Sequence, residues 1–276
     1  MTPMFLEILI STTLSRIEGA KLIAASAYNS IGIRSIVVCQ TFDQINDIED
    51  GVREYFDFGY VQFSSTQGLS QSRGLALSLS TAQYIWFLDD DIDVQFSGLL
   101  DIVDVIKSEE PDFLTAMFED LDGNQFKNYS SKCFFHSQLT VMRVSSIEIF
   151  VKRCQFIDAG IKFDNQFGLG AKYPSGEENI FLSDALKAGL WGIFYPIVVA
   201  RHPPMTSGRN FSSSFILRSK GAMFARIFGL SGFVLALPYV AKRVIRKEVP
   251  FKSVFCSLRD IFHGTFSYIK TKRTHG

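Results

Sequence analysis

Cysteine is scarce in this chain, and the four present (Cys39, Cys133, Cys154 and Cys256) lie far apart, with no C-x-x-C pair. That spacing excludes a disulfide framework and a cysteine zinc site, and it fits a reducing compartment. Net charge is absent too, since 28 basic side chains balance 28 acidic ones. No nucleic-acid partner is expected. Long apolar runs are missing as well. Ile227 to Ala241 gives fifteen uncharged, mainly apolar residues between Arg226 and Lys242, interrupted by Pro238, whereas a spanning helix needs about 20. Collagen, coiled-coil, repeat and low-complexity patterns are absent, and the composition is not that of a disordered chain. The N-terminus enters a strand-like run at once, so no signal peptide is expected.

Apolar residues are plentiful instead, at 47% of 276, and 27 of the aromatics are Phe. That is more Phe than a soluble core of this size normally uses. The length suits one large domain, or one domain with an appendage. The zero net charge hides an asymmetry. Residues 1–210 hold 16 Lys and Arg against 26 Asp and Glu, while residues 211–276 hold 12 against 2. An acidic body with a basic, Phe-rich tail fits an enzyme tethered to an anionic surface. The plainer alternative is a tail docked on the acidic body of its own chain or of a twin in a homodimer. The aromatic stretches after Lys242 are broken by Lys252, Arg259 and Lys270, which suits helices lying in the headgroup region. A re-entrant hairpin or a helix packed in a dimer core stays open.

Phe5 to Ser11 reads as a mostly apolar first strand of the buried parallel kind. Ser15-Arg16-Ile17-Glu18 fits a capping box that opens a helix through Ala27. Ile36–Cys39 and Tyr60–Phe63 read as strands, with a polar stretch of helical pattern between them. Within Gly68 to Ser80 a helix is expected that begins near Ser70, its cap, and then a strand over Tyr84–Leu88. Strands alternating with helices at this spacing mean an α/β domain with a largely parallel sheet. Beyond Asp112 the pattern loosens. Phe113–Phe118 and Cys133–Met142 read as strands, Ser145–Ala159 and Ser175–Ala188 as helices, and Gly192–Ala200 as a final strand. Residues 1–205 are expected to form the catalytic domain. Residues 206–276 are expected to supply a lid or linker, Thr206 to Ser214, and a helical tail.

The sharpest feature is Asp89-Asp90-Asp91 at the end of a hydrophobic strand. In open α/β sheets ligands sit at the carboxyl ends of strands. Three adjacent carboxylates repel one another unless a cation is near, and oxygen donors suit Mg²⁺ or Mn²⁺. The bland reading is a solvated acidic turn with a helix N-cap. Gly68-Leu69-Ser70-Gln71-Ser72-Arg73-Gly74 comes one helix earlier and places Arg73 where a phosphate or nucleobase approaches, although such an Arg is more often a solvated surface residue. His202, beside Pro203 and Pro204, is either structural or a ligand. Ser175-Gly176-Glu177-Glu178 fits a capping box, with Glu178 at N3.

Taken together, the Ile/Leu strand ending Ser11-Thr12-Thr13 with Arg16 after it, the Gly68–Arg73 segment and Tyr84–Asp91 resemble the family 2 glycosyltransferases. The likeness covers about residues 4–205. It implies the GT-A nucleotide-sugar-binding fold, with a Rossmann-like, mostly parallel central sheet and a mixed acceptor half. It implies that the Asp89–Asp91 run matches the D-x-D motif, Asp89 and Asp91 holding the metal, Asp89 and Asp90 the sugar diphosphate. Thr12, Arg16 and Arg73 then fall where the nucleotide is contacted, and His202 where a third metal ligand stands. The second strand usually ends in an Asp that reads the base or ribose. Here Cys39-Gln40-Thr41 stands in that place, with Asp43 later, so Gln40 is left to meet the base edge. Phe163 to Gly170, followed by Glu177-Glu178, matches the acidic pair behind the acceptor site, with Glu178 by position the base and Glu177 the alternative.

The expected activity is metal-dependent, inverting transfer from a nucleotide-sugar, UDP-linked by preference, to a lipid-linked or glycan acceptor in surface polysaccharide synthesis. The expected location is peripheral, on the cytoplasmic face of the inner or plasma membrane. A nucleotidyltransferase is one rival, but it would carry a Gly-rich phosphate loop after the first strand, and Ser11–Ser15 is not one. A non-catalytic, membrane-associated sugar-nucleotide binder is the other.

Overall fold

The computed structural model describes residues 4–41, 50–203 and 213–275, with side chains as far as 271. Asp43 and most of the Thr206–Ser214 stretch lie outside the described residues. The chain forms two compact units, Met1–Phe163 with Phe181–Pro204, and Asp164–Ile180 with Met205–Gly276. The second unit thus takes 164–180 as well as the tail expected from 206 onward.

The first unit is built on one ten-stranded sheet. In chain order its elements are β1 (Leu6–Thr13), α1 (Ile17–Ile31), β2 (Ser35–Gln40), β3 (Arg53–Phe56), β4 (Gly59–Ser64), α2 (Leu69–Leu79), β5 (Tyr84–Asp89), β6 (Asp93–Val94) and α3 (Phe96–Glu109). They continue with β7 (Phe113–Asp120), β8 (Phe134–Phe135), β9 (Ile149–Lys152), α4 (Arg153–Asp158), α5 (Glu177–Lys187), whose first turn belongs to the second unit, and β10 (Gly192–His202). The strand order is β3-β4-β2-β1-β5-β9-β7-β10-β6, with β8 also on β10. Strands β4, β2, β1, β5, β7 and β10 share one direction; β3, β9, β6 and β8 run against it. The sheet is therefore mostly parallel, as the β/α alternation requires. Parallel strands covered on both faces lose the alternating pattern, and β1, β2 and β5 are buried almost throughout. Around Phe87 the core is aromatic: Phe163 and Phe181 stack at 4.1 Å, and both meet Phe87 edge-on.

Several local expectations are corrected. Ser15 caps nothing in α1. Its hydroxyl pairs with Thr13 Oγ1 at 3.1 Å, and a short 3-10 turn at Leu14–Arg16 leads into the helix. The end of the polar stretch after Cys39 is not helical, because Arg53–Phe56 pairs antiparallel with β4 in a hairpin. Cys133–Met142 yields only the two-residue β8. Ser145–Ala159 is not one helix. A capping box between Ser145 and Glu148 closes one 3-10 turn, and then Ile149-Phe150-Val151 enters the sheet between β5 and β7. Branched and aromatic residues suit a strand buried on both faces, and that burial overrides the helical spacing.

In the second unit the chain adds α6 (Ser214–Phe228), α7 (Gly232–Ile245) and α8 (Val254–His275). Helices α6 and α8 approach closely because glycines stand at the crossing. A Cβ on Gly221 would lie 1.9 Å from the Ile261 carbonyl, and one on Gly264 1.9 Å from that of Arg218. Thr265 Oγ1 adds a hydrogen bond to the Gly221 carbonyl at 3.0 Å.

Candidate active site

The carboxyl ends of the parallel strands carry the polar cluster. In register, Ser11 of β1 stands beside Asp89 of β5, and Thr13 of β1 beside Gln40 of β2. Open α/β sheets bind ligands at this edge because the strands end there and loops of free sequence begin. The Asp89–Asp91 run is fixed from two sides. Strand β5 delivers Asp89, and β6 pairs Asp93 and Val94 with Arg201 and Ala200. That two-residue pairing sets the end of β10 alongside the acidic turn, and His202 Nε2 lies 3.3 Å from Asp91 Oδ1.

Each aspartate has a different partner. Arg73 Nη2 donates to Asp89 Oδ1 at 2.8 Å. Thr12 Oγ1 donates to Asp90 Oδ2 at 2.5 Å. Arg16 Nη2 reaches both Asp90 Oδ1 at 2.6 Å and Asp91 Oδ2 at 2.8 Å, so one guanidinium bridges two carboxylates. The solvated acidic turn of the bland reading is thereby corrected, as is the solvated Arg73, which is only 2% exposed. Arg73 is buried because α2 is fastened to β1 one residue earlier, where Ser72 Oγ donates to Ser11 Oγ at 2.9 Å. Gly68, with φ +115°, is the N-cap of α2, so Ser70 lies in the first turn rather than capping it. Gln40 is buried, and its Oε1 accepts the Gly68 N–H at 2.8 Å. Its carbonyl oxygen therefore orders the turn that aims α2 at the site.

These contacts set the charge states. Burial pushes the Asp90 carboxyl above its usual value, against the hydrogen bond from Thr12 and the charge of Arg16. The hydrogen bond from His202 is the main force holding Asp91 down at about 2, helped by Arg16 and opposed by burial. For His202, burial is the largest single influence and pulls downward. The Asp91 hydrogen bond, the Pro203 carbonyl and the nearby aspartate charges together outweigh it, so the imidazole stands above its ordinary value. His202 Nδ1 hydrogen-bonds the Pro203 carbonyl. That contact turns Nε2 toward Asp91, and it is the arrangement that orients a metal-binding imidazole. Two hard carboxylates and this imidazole fit Mg²⁺ or Mn²⁺ by donor chemistry. Among the described residues, however, no three His, Cys, Asp or Glu groups are gathered into a ligand set: Arg73 holds Asp89, and Arg16 lies across the other two aspartates.

In the second unit, Gly176 (φ +100°) precedes α5, and its carbonyl accepts the Ile180 N–H at 3.0 Å. A Cβ there would lie 2.6 Å from Met223 Sδ, so both backbone and space demand glycine. Glu177 is thus the first helical residue and Glu178 the second. The expected capping box, which needs Glu178 at N3, is corrected, and the buried Ser175 Oγ has no hydrogen-bond partner. Glu177 is buried and Glu178 half-buried, and the helix N-terminus favours both charges. Sequence reasoning missed β6 and the Ser11–Ser72 tie; a two-residue strand and two serines leave no periodic signal.

No curated protein matches the chain in sequence. Among solved structures, S. aureus TarS 1-349 superposes with a TM-score of 0.60 at 14% identity, covering 95% of this chain and 81% of that one. Its complex with UDP gives 0.59 at 12% identity, covering 99% and 92%. Its complex with UDP-GlcNAc gives 0.59 at 12%, covering 95% and 82%. These likenesses are to the fold. Residues 40–168 match the family model described as Glycosyl transferase family 2. That stretch contains Arg73 and the Asp89–Asp91 cluster, so the segment that carries the site is similar to the family 2 glycosyltransferases, and the fold is of the GT-A kind.

Proposed function

We propose that the chain transfers a sugar, with inversion, from a nucleotide-sugar to a hydroxyl of a lipid-linked or glycan acceptor, at the cytoplasmic face of a membrane and in the service of surface polysaccharide synthesis. The observation that carries the reading is the cluster at the strand ends: three carboxylates within the family-matched segment, ordered by Arg73 and by Arg16 and His202 from outside it. A UDP-sugar is the preferred donor, supported by the fold likeness to a protein solved with UDP and with UDP-GlcNAc.

Asp91 and His202, with Asp89, would hold Mn²⁺ or Mg²⁺, whose charge would stabilise the departing diphosphate. Arg16 bridges Asp90 and Asp91 and is half exposed. On donor binding it is free to turn from the aspartates to a phosphate, where a guanidinium makes paired hydrogen bonds. Arg73 keeps Asp89 aimed. Glu178, at the second position of α5, is the proposed base. It takes the acceptor proton as the oxygen attacks the anomeric carbon, while Glu177, more buried, shapes the helix start. A thermal-shift panel of UDP-, GDP- and dTDP-sugars, each with and without Mn²⁺, tests the reading. A shift specific to one nucleotide and enhanced by Mn²⁺ is expected, and no shift with any donor would sink it.

A further inference from the structure

We infer that α7, the turn after it and the exposed phenylalanines of α8 form a lipid-facing surface that seats the protein on an anionic bilayer without crossing it. The inference gives the transferase reading its route to a lipid-linked acceptor, but it stands on the second unit alone.

Ser214–Ile245 is long and apolar enough to cross a membrane by length and composition. The structure divides it instead. Gly229, with φ +62°, ends α6, and a 3-10 turn at Gly229–Ser231 starts α7 afresh. Fifteen and fourteen residues remain, each short of the roughly 20 needed to span. The two helices also differ in kind. Helix α6 is interior, with Ile216, Leu217, Met223 and Phe224 buried. Helix α7 is not: Val234, Leu237 and Ile245, with Leu230 in the 3-10 turn just before it, recur at helical spacing and are all 57% exposed or more. Phe251 (83%) in the turn, and Phe255 (79%) and Phe266 (62%) on α8, are exposed as well. Phe233 packs on Phe262 and Phe266 at 5.4 and 4.8 Å, which joins α7 to α8. Large apolar side chains gathered this way mark an interaction surface.

Charge selects the occupant. Residues 211–276 hold 12 basic and 2 acidic side chains. Both acids are neutralised within the unit: Glu248 by Arg243 at 2.6 Å, and the buried Asp260 by Ser214 at 2.8 Å, with Arg218 and Arg259 at 3.5 Å. What α7 and α8 show to the outside is therefore basic. Arg246 and Lys247 follow Ile245, and Lys252 separates Phe251 from Phe255, all of them exposed. Phe and Leu at one level with Lys and Arg beside them is the composition of an interfacial segment, and anionic headgroups complement it. A second copy of the chain would bring this basic surface against itself.

The test is co-sedimentation of the full chain with vesicles of phosphatidylcholine alone or mixed with phosphatidylglycerol, across a salt series. Binding to the anionic vesicles only, falling as salt rises, is expected. The doubly substituted F251S/F255S should bind on the order of 10²-fold more weakly, because two rings no longer insert. R246E/K247E should bind at least tenfold more weakly. All these positions are exposed, so melting and the UDP-sugar thermal shift should match the parent. Those readouts separate failure of the lipid-facing surface from misfolding or from failure of the donor reading. Equal binding to neutral vesicles, unchanged binding of F251S/F255S, or a parent dimer that F251S/F255S converts to monomer would each overturn the inference.

Discussion

Replacing Arg73 by Met tests whether the buried guanidinium orders the acidic cluster. Met fills most of the space with apolar atoms but cannot donate to Asp89. Breaking a fully buried pair from one side costs about 3–5 kcal/mol. Here Arg73 is buried while the Asp89 side chain is 31% exposed, so the orphaned carboxylate still reaches water. A loss of about 2 kcal/mol is the expected compromise, near the worth of one hydrogen bond to a charged group. Both tryptophans, Trp86 and Trp191, lie in the first unit, so fluorescence in urea reports on that unit. The midpoint should fall with little change in slope, which signals altered stability rather than altered compactness. Asp89→Asn and the double variant complete the cycle, and a coupling of about 1–2 kcal/mol is expected for groups in contact. A coupling indistinguishable from zero would refute the reasoning, and so would an Arg73→Met protein as stable as the parent.

Glu178→Gln should melt within about 1 kcal/mol of the parent, since it changes only one charge near a helix dipole. It should keep donor binding and lose transfer by a factor on the order of 10², with Glu177→Gln milder; the opposite ranking would exchange the two roles. The raised His202 value stabilises the fold fully below its ordinary 6.5, and this gain is lost as pH climbs through the folded value. The gain from Asp91 is present above 3.8 and is lost as pH falls toward about 2. His202→Ala should therefore flatten the melting profile at both ends, whereas identical profiles would show the pair to be inert. Arg16→Ala should cost no more than about 1 kcal/mol, because its side chain is 52% exposed. Part of that loss should return with Mn²⁺, and a thermal scan with and without the ion checks it.

The parallel half of the sheet was legible because buried strands such as Leu6–Thr13 and Tyr84–Asp89 are continuous apolar runs bounded by polar turns. The second half was legible only in part: Phe113–Phe118 and Gly192–Ala200 read as strands and are β7 and β10, but β9, between β5 and β7 in the sheet, was missed. Ile149–Lys152 lies inside a helical spacing and becomes a strand only because β5 and β7 offer it a slot. The acidic run and the residues around it were readable from their place after a strand. The division of labour among them was not, since a bridging Arg16 and a buried Arg73 depend on approaches between residues 16 and 90, or 73 and 89, that no local pattern encodes. The two glutamates were legible as a pair, but a capping box describes their helix start less well than Gly176 does.

The most direct test of the account is isothermal titration of a UDP-sugar into the protein in Mn²⁺, with the parent and with Asp91→Asn side by side. The parent should bind more tightly with Mn²⁺ than without it. Asp91→Asn should lose that gain while melting within about 2 kcal/mol of the parent, the scale of one hydrogen bond to a charged group. Equal UDP-sugar affinity for the two proteins in Mn²⁺ would contradict the assignment of the donor and its metal to the Asp89–Asp91 cluster.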